Sequence, residues 1–203
     1  KMVYLYEPQI KTMRVKKKYE EMIQSLVASG TKVVIEPIVG GKFELFDVHV
    51  VSEKVEGNVQ CALSEDSPNS YSMLRKLDLT HENYITSLYN LDKCSVFYTQ
   101  NEGRIKNDVL GEKSINGGSV TFVGGQLSHF LAANYITLFG MSSYQETNQE
   151  NNNIVKQFFH NMYQNFGVNE AYLPQDLTSV KSSHYDYDGG SFSYESDKDE
   201  DVV

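Results

Sequence analysis

The sequence DLTHENYITSLYNLDK, at residues 78–93, combines a turn with a periodic apolar pattern. Tyr84, Leu88 and Leu91 recur at helical spacing. Thr80 precedes them as the expected N-cap of a helix. We therefore expect a short strand, a turn and a helix that packs Tyr84 in a core. A surface helix without a special role has the same pattern.

The residues before this stretch alternate between strand and helix patterns. One apolar face, expected to be buried, runs along residues 16–28, and Gly30 ends the helix. The residues of this face are Tyr19, Met22, Ile23, Leu26 and Val27. The remaining segments are assigned from β-rich runs, prolines and glycines: strands at 2–6, 31–39 and 43–52, a loop at 53–69 and a short helix at 71–77.

The second half repeats a similar order less clearly. Its strongest feature is the apolar stripe of a helix at residues 154–166. Residues 127–133 fit a strand, and a helix over 126–138 fits equally well. The other expected elements are strands at 94–99 and 119–123, a weak helix at 103–115 and a loop at 141–153.

Composition and charge narrow the class of protein. The chain has 203 residues, a hydrophobic content of 40% and no apolar run long enough to span a membrane. No signal peptide is visible, and Cys61 and Cys94 fit a reducing compartment better than a disulfide scaffold. The net charge is -9, and residues 185–203 carry seven acidic residues against one lysine. We expect residues 183–203 to form an acidic, disordered tail, and we expect no dominant nucleic-acid binding.

Several local sequences resemble BRCT domains, the phosphopeptide- and protein-binding modules of DNA-damage and replication proteins. The family usually has Gly-Gly after its first helix and a Trp in its last helix; Ser29-Gly30 and Tyr84 occupy those places here. The matching segments are VYLY at 3–6, SGTKVVI at 29–35, DVHVV at 47–51, LDLTHENYITSLYNLDKC at 77–94, NGGSVTF at 116–122 and LSHFLAA at 127–133.

This resemblance implies an α/β fold with two small BRCT-like domains in tandem, at residues 1–93 and 94–182. Each domain would have a short parallel sheet flanked by helices. The implied function is a non-enzymatic protein–protein interaction module of a nuclear protein in the DNA-damage response, repair or replication. Its partner would be another protein, either phosphorylated or unphosphorylated, with no membrane and no cofactor involved.

The family's phosphate pocket uses a Ser or Thr with Gly at a strand end and a Lys in a later helix. Tyr6-Glu7-Pro8 departs from this pattern in the first copy. In the second copy, Thr99, Gln100 and Lys156 stand at the matching places, with Gln100 in place of the glycine. A hydroxyl, a backbone N–H and an ammonium group can bind a phosphate. The competing interpretation is that Thr99 is an ordinary strand residue and that the Lys156 side chain is simply solvated.

An α/β enzyme of another family is the alternative function. Its candidate anion site is the turn Gly124-Gly125, which follows the strand SVTFV and precedes a possible helix. No P-loop or nucleophile elbow is present, and the histidines lack metal-ligand spacing; they are His49, His81, His129, His160 and His184.

Overall fold

A computed structural model describes residues 1–6, 8, 10, 12–37, 43–54, 57–79, 84–125, 127–130 and 148–168. Within these residues the fold is mixed α/β, which confirms the predicted class. The strands are β1 (Met2–Tyr6), β2 (Lys32–Glu36), β3 (Glu44–Leu45), β4 (Val48–Lys54), β5 (Val59–Leu63), β6 (Tyr84–Tyr89), β7 (Lys93–Gln100), β8 (Ile105–Ile115) and β9 (Gly118–Val123). The helices are α1 (Met13–Ala28), the short 3-10 helices η1 (Asn69–Lys76) and η2 (Leu127–Phe130), and α2 (Asn148–Asn165).

Six strands form one mixed sheet in the order β1-β2-β9-β8-β7-β5. The pairs β1–β2 and β2–β9 are parallel, whereas β8 pairs antiparallel with both β9 and β7. A smaller antiparallel sheet has the order β3-β4-β6. Helix α1 connects two adjacent parallel strands, so its N-terminus lies at the sheet edge where those strands end.

The six-stranded sheet crosses the predicted domain boundary at residues 93/94. Strands β1, β2 and β5 precede this position, whereas β7, β8 and β9 follow it or include it. In the described residues, the expected pair of short parallel sheets, one in each half, is therefore not formed, and strands from both halves build the mixed six-stranded sheet.

Both faces of this sheet are covered. Val33 and Ile35 of β2 pack in one core with Ile23 of α1 and residues of the three-stranded sheet. Val34 points to the other face and packs with η1 and α2. Alternate residues of one strand serve opposite cores, as expected for a buried parallel strand.

The predicted helix around Tyr84 is wrong, because residues 84–89 form strand β6. A spacing of four residues places Tyr84 and Leu88 on one side of either a helix or a strand, so this pair does not distinguish them. Pairing with β4 selects the strand: Leu88 is opposite Val50, and Tyr84 is opposite Lys54. Tyr84 lies at the sheet end and is 63% exposed, so the prediction that it packs in the core is also wrong.

Two other assignments are corrected. The predicted weak helix at 103–115 is the long strand β8, and the predicted loop at 53–69 contains strand β5. In β8, Gly111 allows a close approach, since a Cβ there would lie 2.1 Å from the carbonyl oxygen of Lys93. A helical interpretation of this segment could not anticipate that contact.

The helix patterns with several apolar positions are confirmed. In α2, Val155, Phe158, Phe159 and Met162 are buried. In α1, Ile23 and Val27 are buried, but Met22, expected on the same face, lies at its edge and is 42% exposed. The Thr12 side chain caps the helix by accepting a hydrogen bond from the Val15 N–H.

Some expectations lie outside the described residues, namely those on Thr80, 131–147 and the acidic segment 183–203. Residues 127–130 form η2, which is neither the predicted strand nor an α-helix. No helix in the described ranges is both long and apolar enough to span a membrane.

Candidate functional site

Thr99 and Gln100 lie at the end of β7, but they project to opposite faces of the sheet. The Thr99 hydroxyl donates a hydrogen bond to the Gln60 carbonyl oxygen at 3.3 Å. Gln100 is only 7% exposed. The hydroxyl is thus already used in the pairing of β7 with β5.

Lys156 lies on α2, which packs against the sheet face that carries Tyr98. Gln100 shares that face with Tyr98, whereas Thr99 projects from the other face. The structure therefore does not bring the Thr99 hydroxyl together with Lys156, and the three residues do not form one pocket.

The turn Gly124-Gly125 has no amide available for an anion. The Gly124 N–H donates to the Val109 carbonyl oxygen at 2.6 Å, and the Gly125 N–H donates to that of Thr86 at 3.1 Å. A Cβ at Gly125 would lie 2.5 Å from Val109 Cγ1. Glycine is needed here for close packing between strands, and the four-residue η2 that follows is too short to form an anion site at its N-terminus.

A buried carboxylate, not anticipated from the sequence, lies at the end of β2. Glu36 is 3% exposed. Its Oε2 accepts a hydrogen bond from Tyr4 Oη at 2.5 Å. Its Oε1 accepts two more from Ser128, from Oγ at 2.6 Å and from the backbone N–H at 3.3 Å. Glu36 thus connects β1, β2 and η2.

The environment of Glu36 keeps the neighbouring phenols protonated. Burial, followed by the charge of Glu36, raises the pKa of Tyr4 far above its ordinary value. The same two causes raise the pKa of Tyr163. Because neutral hydroxyls donate to both carboxylate oxygens and solvent is excluded, we interpret this cluster as a structural connection, not an open reaction site.

A second carboxylate cluster joins the two sheets. Glu53 accepts hydrogen bonds from Tyr89 Oη and Asn107 Nδ2, both at 2.8 Å. His49 stacks on Tyr89 with ring centroids 5.2 Å apart. Burial and the Glu53 hydrogen bond raise the pKa of Tyr89. This cluster fixes β4 and β6 against β8.

An open groove of about 710 Å³ lies beside the turn between β7 and β8. It contains one cation and one acid, Arg104 and Glu102, with Asn58, Asn101 and Ile105. This balance of charge does not favour a phosphate or an acidic ligand.

The solvent-facing side of α1 is the most distinctive described surface. We define the cationic face as Met13, Arg14, Lys17, Lys18 and Met22. Met13 is 78% exposed and Met22 is 42% exposed. Arg14 and Lys18 are one turn apart, exposed and, among the described residues, not in any ion pair.

Comparison with known proteins adds no family assignment: no protein-family model matches the chain, and no curated protein matches it significantly. No group of three or more His, Cys, Asp or Glu residues suited to a metal ion occurs in the described part of the chain.

Proposed function

We propose that this chain is a non-enzymatic module that binds another protein through the cationic face of α1. The observation that carries this proposal is an uncovered helix face with unpaired cations in a chain of net charge -9. The carboxylates of Glu36 and Glu53 are, by contrast, engaged by hydrogen-bond donors.

Neighbouring ion pairs explain which cations remain for a partner. Lys16 bonds to Glu44 and lies near Glu20, and its hydrogen bond is the main cause that lowers the pKa of Glu44. Lys17 is 3.8 Å from Glu21, and both side chains are largely exposed, so that pair is weak. Arg14 and Lys18 therefore carry the uncompensated charge.

The first turn of α1 contains no acidic residue. The positive end of the helix dipole thus adds to the charge of Arg14. Such a surface fits a partner segment that combines carboxylates with apolar side chains, the latter contacting Met13 at one edge of the cationic face or Met22 at the other. A phosphorylated segment also fits, since arginine forms strong charge-assisted bonds with phosphate.

The nuclear role in genome maintenance remains a prediction from the local resemblance to BRCT domains. The proposal does not depend on it. Nor does it use Thr99, Gln100 and Lys156 as a phosphate pocket, because those residues do not converge.

Binding of a defined acidic probe tests the proposal. The probe is a fluorescein-labelled peptide of alternating Glu and Leu, titrated with the full chain at about 0.15 M ionic strength, where the Debye length is about 8 Å. We expect saturable binding that the double substitution Arg14→Glu/Lys18→Glu weakens at least about ten-fold, since two attractive contacts become repulsive.

Arg75→Glu/Lys76→Glu is the matched control. These residues are also an exposed Arg and Lys, in η1, and the charge change is identical. We expect the control to retain affinity within about two-fold, because long-range charge effects are screened. Equal losses in both variants would reduce the effect to net charge and contradict a specific surface.

Affinity enrichment from cell extract with the same three proteins would then identify the natural partner. A partner lost from the α1 variant but retained by the η1 variant satisfies the proposal. Phosphatase treatment of the extract distinguishes a phosphorylated partner from an acidic one.

A further inference from the structure

We propose that the acidic segment 185–203 of this same chain binds the cationic face of α1 and competes there with the partner. This inference rests on the proposed function, because it assigns a regulator to the same surface.

The acidic segment 185–203 and the cationic face of α1 are complementary in charge and in side-chain type. Residues 185–203 have a net charge of -6, whereas Arg14 and Lys18 are exposed cations that form no ion pair within the described part of the chain. The segment also contains four aromatic residues, which can contact the exposed Met13 or Met22, since thioethers contact aromatic rings favourably. These aromatic residues are Tyr185, Tyr187, Phe192 and Tyr194.

Because the acidic segment and α1 belong to one chain, weak contacts between them are sufficient to keep the segment bound for a substantial fraction of the time. A segment on the same chain acts at an effective concentration that can reach roughly millimolar, so individually weak ion pairs produce substantial occupancy. A partner must then displace the segment, which lowers its apparent affinity. Phosphorylation of Ser196, which has acidic residues on both sides, would add negative charge and strengthen the competition.

Zero-length crosslinking of the full chain tests the contact directly. A carbodiimide joins carboxylates to amines, and mass spectrometry of the monomer fraction identifies the joined peptides. We expect links from residues 186–201 to Lys17 and Lys18, with few to Lys76. About 0.5 M salt should reduce them at least roughly five-fold, because the contact is electrostatic.

Competition provides the functional measurement. The variant carries Asn or Gln at all seven acidic positions of the segment, in the full chain. It should bind the Glu-Leu peptide at least about five-fold more tightly than the wild type. In the Arg14→Glu/Lys18→Glu background, neutralising the segment should give no gain.

The outcomes separate the two proposals. Links spread evenly over exposed lysines, or unchanged affinity after neutralisation, would overturn the competing segment and leave the α1 partner surface intact. Links confined to Lys17 and Lys18 support it. If the neutralised chain still fails to bind the acidic peptide, the proposed partner surface is refuted even though the segment contact stands.

Discussion

The helices α1 and α2 flank opposite faces of the same sheet, yet they use their surfaces differently. Helix α2 buries Ile154, Val155, Phe158, Phe159 and Met162, whereas α1 buries Ile23 and Val27 alone and exposes Met13 and Met22. Helix α1 thus buries few of its large apolar side chains in the core, whereas α2 buries most of its own. This difference separates a helix that stabilises the fold from one that also leaves a surface for binding.

The largest expected effect on stability comes from removing a buried side chain of α2. Phe158 is fully buried and contacts Tyr71 and Phe159 at centroid distances of 5.2 and 5.0 Å. Phe158→Ala should lower the free energy of unfolding by about 3–5 kcal/mol, measured by urea denaturation. Met22→Ala on α1 is the control and should cost less than about 1 kcal/mol, because that side chain is partly exposed. Similar losses at both positions would remove the contrast between the helices.

The next effect concerns the polar contact on the α2 side. Tyr4→Phe keeps the ring that packs against Phe159 but removes the hydroxyl that donates to Glu36. Leaving a buried carboxylate oxygen without this donor should cost about 1–3 kcal/mol in chemical denaturation. Tyr84→Phe removes an exposed hydroxyl and should be neutral. A neutral Tyr4→Phe would mean that water or another group replaces the donor.

Alkaline pH should lower the stability of the folded chain. The pKa of Tyr4 and of Tyr163 is raised in the folded chain, and burial raises that of Tyr71 to about 12. Below about pH 10 these phenols are protonated in both folded and unfolded chains, so they add no pH dependence. Above it the unfolded chain loses protons that the folded chain retains, and stability falls as pH rises.

The slope of this loss is measurable. Each such phenol should contribute up to about 1.4 kcal/mol per pH unit, read from urea unfolding at several pH values. Tyr4→Phe should make the slope shallower by about one proton. An unchanged slope in that variant would show that Tyr4 ionises equally in both states.

The smallest effect is expected at Tyr84. Because this side chain is 63% exposed, Tyr84→Ala should change the free energy of unfolding by less than about 1 kcal/mol. Ile85, its buried neighbour, is 2% exposed, and Ile85→Ala should cost about 2–5 kcal/mol. Comparable losses would place Tyr84 in the core, as the sequence pattern suggested.

The two helices also show what the sequence can predict. In α2, the apolar stripe continues over several turns, which a strand cannot reproduce, and the prediction is confirmed. The stretch at 84–91 offered only positions spaced by three and four residues, and strand pairing with β4 decided its structure. Long periodic patterns are therefore informative, whereas short ones depend on the partner that tertiary structure supplies.

The polar sites depend still more on distant residues. Glu36 and Ser128 are 92 positions apart in the chain, so no local pattern relates them. The glutamate that ends the apolar run VVIE was the available signal. The cationic run at 14–18 was visible, but only the structure shows that Lys16 is paired and that Arg14 and Lys18 are not.

The pairing of β2 with β9 has a consequence for how the chain folds. Val33 aligns with Val120, so the middle of the sheet closes only after a long intervening segment has been synthesised. Such non-local pairing slows folding, because the entropy of closing the loop is lost before the contact forms. During synthesis, the β1–β2 unit exposes a parallel edge of Val33, Val34 and Ile35 until β9 emerges from the ribosome. We therefore expect nascent chains that end before residue 118 to aggregate or to require chaperones, and chains that include both β9 and α2 to become soluble.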